Sequence, residues 1–183
     1  MKATGIVRRI DDLGRVVIPK EIRRTMRIRE GAPLEIFTDR DGEVIFKKYS
    51  PVGELADIAS EYCETLYKSC TLICAVCDMD TIIACSGVPK KELMEKKNSA
   101  ALDGIVQGRS LYTYSPSREK LYPSDDCRSL YIVCAQPIFA QGDVIGCVMA
   151  FEHTDSKDDG GATEAQTKLV QSAAMFLGRQ LES

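Results

Sequence analysis

Several features are scarce in this sequence, and each scarcity excludes a class of protein. No apolar run reaches the ~18 residues of a membrane-spanning helix, and the start, Met-Lys-Ala-Thr-Gly, lacks the apolar segment of a secretory signal. Histidine occurs once, as His153, so no serine or cysteine has a recognisable partner base for nucleophilic catalysis. We therefore predict a cytoplasmic protein that contacts no membrane and is not an enzyme.

Cysteine is absent before Cys63, and all eight cysteines follow from there. In a cytoplasmic chain such residues are more often free core thiols than disulfides. The C-x-x-C pair Cys74 and Cys77, with Cys70 and Cys85 nearby, leaves a zinc or thiol-sensing site as an alternative. A separation of three along one strand, however, places Cys74 and Cys77 on opposite faces. We predict no metal and no cofactor.

The charge of the chain changes sign along its length. Residues 1–50 contain twelve Lys and Arg against eight Asp and Glu, a net charge of +4. Residues 51–183 contain twelve against nineteen, a net charge of −7. Such asymmetry is typical of a nucleic-acid-binding part joined to a different one. Pro51 disfavours a helix through Ser50, so we predict two domains, 1–50 and 51–183.

Residues 8–24 form the most basic stretch, with five arginines and one lysine among apolar residues that a core requires. An ordered basic surface of this kind typically meets phosphate. The alternative is a solvated face, or internal ion pairs with Asp11, Asp12 and Glu21. The candidate DNA-binding residues are Arg8, Arg9, Arg15, Lys20, Arg23 and Arg24.

The first fifty residues read as strands, one helix and two tight turns. Gly14 can supply a positive φ in the first turn, and Asp41-Gly42 is a strong hairpin signal in the second. The predicted elements are strands Thr4–Ile10 and Arg15–Ile18, a helix from Pro19 that ends at Gly31, and strands Pro33–Thr38 and Glu43–Lys48. So small a unit leaves its apolar faces partly uncovered, which predicts an obligate dimer. The residues concerned are Val16, Ile18, Leu34, Ile36, Val44 and Phe46.

The run from Gly5 to Arg24, together with Leu34–Phe37 and Asp41-Gly42, resembles the AbrB family of transition-state regulators. The resemblance implies a dimer whose swapped hairpins build one β-barrel. It also implies that Arg8, Arg15, Arg23 and Arg24 contact A·T-rich double-stranded DNA, with Arg9 and Lys20 as neighbours. The chain would be a transcriptional regulator of sporulation genes, an activator or a repressor. Because the same fold serves antitoxins, a protein-interaction module is the alternative.

From Pro51 onward, the element order resembles a GAF sensor domain, which implies an antiparallel sheet flanked by helices. The predicted helices are Pro51–Ser69, Pro89–Val106 and Thr163–Leu181, and the predicted strands are 71–77, 81–85, Leu130–Ile138 and Val144–Phe151. The first and last helices carry apolar stripes that would either join dimers into a tetramer or cover their own sheet. The loop 112–129 offers liners for an unknown small ligand, or ordinary packing residues: Tyr112, Tyr114, Arg118 and Tyr122.

Overall fold

The computed structural model describes residues 4–28, 30–156 and 160–182. The chain divides into two compact units, an N-terminal one and a C-terminal one, and the boundary falls between Tyr49 and Ser50. Both units combine helices with antiparallel strands, which confirms the predicted α+β class. The helices are α1 (Lys20–Thr25), α2 (Ala56–Cys70), α3 (Lys90–Leu93), α4 (Ala100–Gln107) and α5 (Glu164–Gln180), with a 3₁₀ turn at Val52–Leu55. The strands are β1 (Leu34–Thr38), β2 (Val44–Lys48), β3 (Cys74–Cys77), β4 (Ile82–Ser86), β5 (Tyr112–Thr113), β6 (Leu130–Ala140) and β7 (Asp143–His153).

The N-terminal unit contains one hydrogen-bonded hairpin. β1 pairs with β2 in antiparallel register, from Leu34 opposite Lys48 to Thr38 opposite Val44. This hairpin was predicted. The strands predicted at Thr4–Ile10 and Arg15–Ile18 are not assigned as strands within this chain, although the turn between them forms. A strand requires a ladder partner, and along the described residues 4–18 the only backbone–backbone hydrogen bonds are those that close the turn.

Helix α1 is shorter than predicted, ending at Thr25 instead of near Gly31. The N–H of Ile28 donates to the carbonyl of Arg23 at 2.7 Å, and the N–H of Arg27 donates to Arg24 at 3.2 Å. With Arg27 at a φ of +52°, this is a Schellman motif whose left-handed position is occupied by arginine. Pattern reading expects glycine there, which is why the prediction placed the end at Gly31.

The C-terminal unit is built on a five-stranded antiparallel sheet with the strand order β4-β3-β7-β6-β5. The long strands β6 and β7 form its centre and are joined by a two-residue turn at Gln141 and Gly142. Both turn residues have positive φ, +50° and +86°, which is the type I′ geometry that matches the twist of a hairpin. The loop before β6 contains one short strand, β5.

Helices cover both faces of this sheet, so its strands are apolar on both sides. On one face α2 and α5 pack against residues such as Val76 and Val133. On the other face α3, α4 and the loop before β6 pack against residues such as Ile132 and Met149. The flanked antiparallel sheet predicted from the element order is therefore confirmed.

The helix predicted over Pro89–Val106 is wrong, because the chain breaks into α3 and α4. Glu95 has a φ of +60°, and its N–H donates to the carbonyl of Ile82 at 2.9 Å. The N–H of Ile82 in turn donates to Lys96 at 3.0 Å, so the break pairs with the outer edge of β4. Ser99 then caps α4, its hydroxyl accepting the N–H of Leu102 at 3.0 Å.

The apolar face predicted for the last helix is only partly right. Thr163 starts α5 in a capping box with Gln166. The fully covered residues are Val170, Ala173, Ala174 and Leu177, whereas Phe176, predicted to be on that side, is 38% exposed. Its ring stacks on Tyr62 of α2 at 5.3 Å between centroids.

Candidate nucleic-acid interface

The six cations predicted to bind DNA lie on two local elements of the N-terminal unit. Arg8 and Arg9 lie in the segment that leads into the first turn, and Arg15 follows that turn. The other three lie on α1, which begins after the buried Pro19. All six are exposed except Arg23, which is half-buried. Among the residues that the structure describes, Arg15 alone of the six takes part in an ion pair, which it makes with Asp11.

Asp11 organises the first turn with both of its carboxylate oxygens. Oδ1 accepts the N–H groups of Leu13 at 3.0 Å and Arg15 at 2.8 Å, while Oδ2 accepts Nε of Arg15 at 2.8 Å. The backbone closes through Asp11 N to Arg15 O at 3.1 Å and Gly14 N to Asp11 O at 3.0 Å. The N–H and then the guanidinium of Arg15 hold the pKa of Asp11 below its ordinary value. The carboxylate therefore stays ionised at neutral pH.

The second turn repeats this backbone arrangement. Oδ1 of Asp39 accepts the N–H groups of Asp41 at 3.0 Å and Glu43 at 2.9 Å. Gly42, like Gly14, has a positive φ, +82° against +76°. Both are three-residue hairpin loops that end in a left-handed glycine. The repeat Asp-x-x-Gly is a sequence signal for the turn-building role of Asp11, although not for its contact with Arg15.

The N-terminal unit has almost no interior of its own. Among its described residues only Pro19 is buried. Apolar side chains predicted to be uncovered are indeed exposed: Val16 by 44%, Ile36 by 61%, Val44 by 58% and Phe46 by 42%. Apolar surface of this extent is typical of an interaction site.

The thiols of the C-terminal unit are mostly core residues. Cys74 packs on the α2 and α5 face and Cys77 on the α3 and α4 face, so the prediction that they point apart is confirmed. Seven of the cysteines are buried and Cys70 is exposed. Burial raises the pKa of Cys134 to about 12 and raises the pKa of Cys77 as well. Within the described ranges, no group of three or more His, Cys, Asp or Glu is arranged to hold a metal ion.

Two of the predicted ligand liners, Tyr114 and Tyr122, make packing contacts, whereas Arg118 is exposed. Tyr114 is buried and meets Tyr131 edge-on at 5.0 Å, and Tyr122 lies under the guanidinium of Arg128 at 4.6 Å. A cavity of about 340 Å³ lies elsewhere, and the sequence did not predict it. Its lining comes from the end of α2, the end of β7 and the start of α5: Cys70, Thr71, Leu72, Ile73, Phe151, Glu152, Thr163, Ala165, Gln166 and Leu169.

The C-terminal unit matches a described family almost from end to end. Residues 54–182 fit the family model "Stage V sporulation protein T C-terminal, transcription factor". The chain belongs to this family. Stage V sporulation protein T of Bacillus subtilis (strain 168) is 53% identical over 184 residues, which cover 100% of this chain and 99% of that protein. The resemblance to regulators of sporulation genes inferred from the sequence is confirmed.

The N-terminal unit has relatives of its own. Residues 7–54 match the model "Antidote-toxin recognition MazE, bacterial antitoxin". The transition state regulatory protein AbrB of Bacillus subtilis (strain 168) is 54% identical over 63 residues, which cover 31% of this chain and 65% of that protein. The solution structure of the N-terminal DNA recognition domain of AbrB from Bacillus subtilis is 61% identical, covers 28% of this chain and 94% of that one, and has a TM-score of 0.25.

The C-terminal unit has the GAF fold. The GAF domain of an Acinetobacter phosphoenolpyruvate-protein phosphotransferase is 12% identical, covers 72% of this chain and 88% of its own, and has a TM-score of 0.51. At that identity the likeness concerns the fold alone. Over the described residues, no helix has the length and apolar character that crossing a membrane requires.

Proposed function

We propose that this chain is a DNA-binding regulator of transcription that acts on sporulation genes in the cytoplasm. The family description names a transcription factor, and the full-length relative is a sporulation protein. The N-terminal stretch is 54% identical to a transition state regulator. A regulator of this kind requires no catalytic activity, metal or cofactor.

The observation that carries the proposal is the set of exposed cations around the first turn and on α1. Five of the six have no ion pair among the described residues, and Arg15 keeps 70% of its side chain exposed. A guanidinium fork matches phosphate oxygens and the guanine edge. The proposed double-stranded DNA contacts are Arg8, Arg9, Arg15, Lys20, Arg23 and Arg24. A preference for A·T-rich DNA would come from groove shape and phosphate contacts.

The proposed assembly starts from a dimer formed by the N-terminal unit. Residues 4–18 have no strand partner within the chain, and the apolar side chains around them are exposed. A second copy would pair with residues 4–18 and cover these apolar side chains. The C-terminal unit would then join two dimers into a tetramer through α2 and α5, where Met175 is 61% exposed beside the Tyr62–Phe176 stack. A tetramer would engage DNA through two linked dimers, which raises avidity by ~10²-fold or more.

Fluorescence titration of a labelled A·T-rich duplex with the full-length protein tests this function. Arg23→Ala removes one half-buried cation of α1 from each copy, and Arg40→Ala, in the second turn, is the control. We expect Arg23→Ala to weaken binding by ~1–3 kcal/mol where the contact reaches a base edge, and to make the salt slope shallower. Arg40→Ala should leave both quantities unchanged. Binding that is absent, or unchanged in Arg23→Ala and Arg15→Ala, contradicts the proposed interface.

A second candidate function follows from the antitoxin match over residues 7–54. An antitoxin-like module would bind a protein through its exposed apolar side chains. Its binding would depend weakly on salt, because apolar contacts are not screened by ions. DNA affinity that falls steeply as salt is raised favours the regulator, whereas capture of one specific protein without DNA affinity favours the antitoxin.

A further inference from the structure

The two turns of the N-terminal unit share a backbone arrangement and differ in the residue that follows the glycine. In both, an aspartate Oδ1 accepts two backbone N–H groups and a glycine has a positive φ. The residue after the glycine is Arg15 in the first turn and Glu43 in the second. The turn backbone therefore forms without an arginine after the glycine.

The second carboxylate oxygen of Asp11 has a separate role. Oδ2 accepts Nε of Arg15 at 2.8 Å in a pair whose side chains are 37% and 70% exposed. An exposed pair of this kind contributes little to stability. It does fix one edge of the guanidinium and leaves the two Nη groups for a bidentate contact. Glu43 has no proton donor with which Asp39 could make the equivalent contact.

We propose that Asp11 is a positioning residue that sets the DNA specificity of Arg15. The inference rests on the proposed function. A guanidinium held in advance loses less freedom on binding than a free one, which favours sites where both Nη groups find acceptors. The negative charge of Asp11 also opposes general attraction to phosphate. Asp11 therefore lowers binding to arbitrary DNA while it raises binding to a matching site.

The test compares dissociation constants for an A·T-rich duplex and a G·C-rich duplex of equal length, measured with the full-length protein. Asp11→Asn keeps an oxygen for the two N–H groups, but its amide cannot accept Nε of Arg15. The ratio of interest is the dissociation constant for the G·C-rich duplex divided by that for the A·T-rich duplex. We expect this ratio to fall about five- to thirty-fold in a dimer with two such sites. The cause should be weaker binding of the A·T-rich duplex, with equal or tighter binding of the G·C-rich one.

Asp39→Asn is the matched control, since it makes the same substitution and charge change in a turn where Glu43, and not an arginine, follows the glycine. It should leave the ratio unchanged, while its effect on melting temperature should equal that of Asp11→Asn. In an Arg15→Ala background, Asp11→Asn should have no further effect on the ratio. If Asp11→Asn fails to fold, Asp11→Ser provides the same comparison, because its hydroxyl accepts backbone N–H but is too short to hold Nε.

Three results would overturn the inference, and a fourth would refute the proposed function itself. The inference is wrong if Asp11→Asn and Asp39→Asn change the ratio equally, or if Asp11→Asn keeps its effect without Arg15. It is also wrong if the unsubstituted protein binds both duplexes equally well, because no discrimination then exists for Asp11 to support. Absence of DNA binding by the unsubstituted protein would instead refute the proposed function.

Discussion

The glycine of the first turn allows the backbone of the candidate interface to be tested directly. Gly14 has a φ of +76°, and a Cβ added there would meet no heavy atom within 4 Å. The expected cost of a substitution is therefore backbone strain alone. We expect Gly14→Ala to lower the free energy of unfolding by ~1–2 kcal/mol. Gly14→Val should cost ~1–3 kcal/mol, and Gly14→Asn less, because asparagine tolerates the left-handed region.

The strain should also weaken DNA binding, because Gly14 directly precedes Arg15. A shifted turn moves the N–H and the guanidinium that Asp11 holds. The assay is hydrogen exchange of the N-terminal amides, followed by titration of an A·T-rich duplex. Gly42→Val is the control, since Gly42 has a φ of +82° and equally open surroundings in the other turn. It should lose similar stability and keep its DNA affinity.

Two results would refute this reasoning. Normal amide protection and normal DNA affinity in Gly14→Val would mean that the turn has no need of a left-handed residue. An equal loss of affinity in Gly42→Val would mean that general destabilisation, and not the position of Arg15, weakens DNA binding.

Four further predictions concern the C-terminal unit. Gly178→Ala places a Cβ against the carbonyl of Phe139, so α5 must move off β6; calorimetry should show a loss of ~1–3 kcal/mol. Asp78→Ala removes the carboxylate that accepts bonds from two backbone N–H groups and from the Ser50 hydroxyl, which should cost ~1–3 kcal/mol in denaturant titration. Thiol alkylation of the native protein should yield one adduct, at the exposed Cys70, by mass spectrometry. Burial keeps core thiols protonated while unfolded thiols ionise near their ordinary pKa of 9.0, so stability should fall as pH rises from 9.0 toward about 12.

Local signals in the sequence predicted those parts of the fold that local chemistry determines. The β1–β2 hairpin follows from Asp41-Gly42 between apolar runs, and α5 follows from an apolar stripe after a capping threonine. The end of α1 was misplaced because Arg27 occupies a position where glycine is usual. The break at Glu95 has no local signal, since it is stabilised by β4 pairing from elsewhere in the chain. Sequence patterns do not report such tertiary bonds.

The candidate site was predictable to a similar degree. The candidate cations were recognised from the high density of arginine and lysine in residues 8–24. The role of Asp11 was missed, because it depends on which way each carboxylate oxygen points. Only comparison of the two Asp-x-x-Gly turns reveals that one oxygen builds the turn and the other holds Arg15.

The strands predicted before α1 connect the fold to the proposed function. Their apolar side chains, with Val16 and Ile10 exposed by 44% and 69%, have no covering partner within the part of the chain that the structure describes. If a second copy supplies it, every arginine of the interface occurs twice, and each substitution removes two contacts. Effects on DNA affinity should then be about twice those of a single contact on the free-energy scale, and they should share one protein-concentration threshold with dimer formation. The N-terminal unit would thus acquire its core and its DNA-binding surface in the same step.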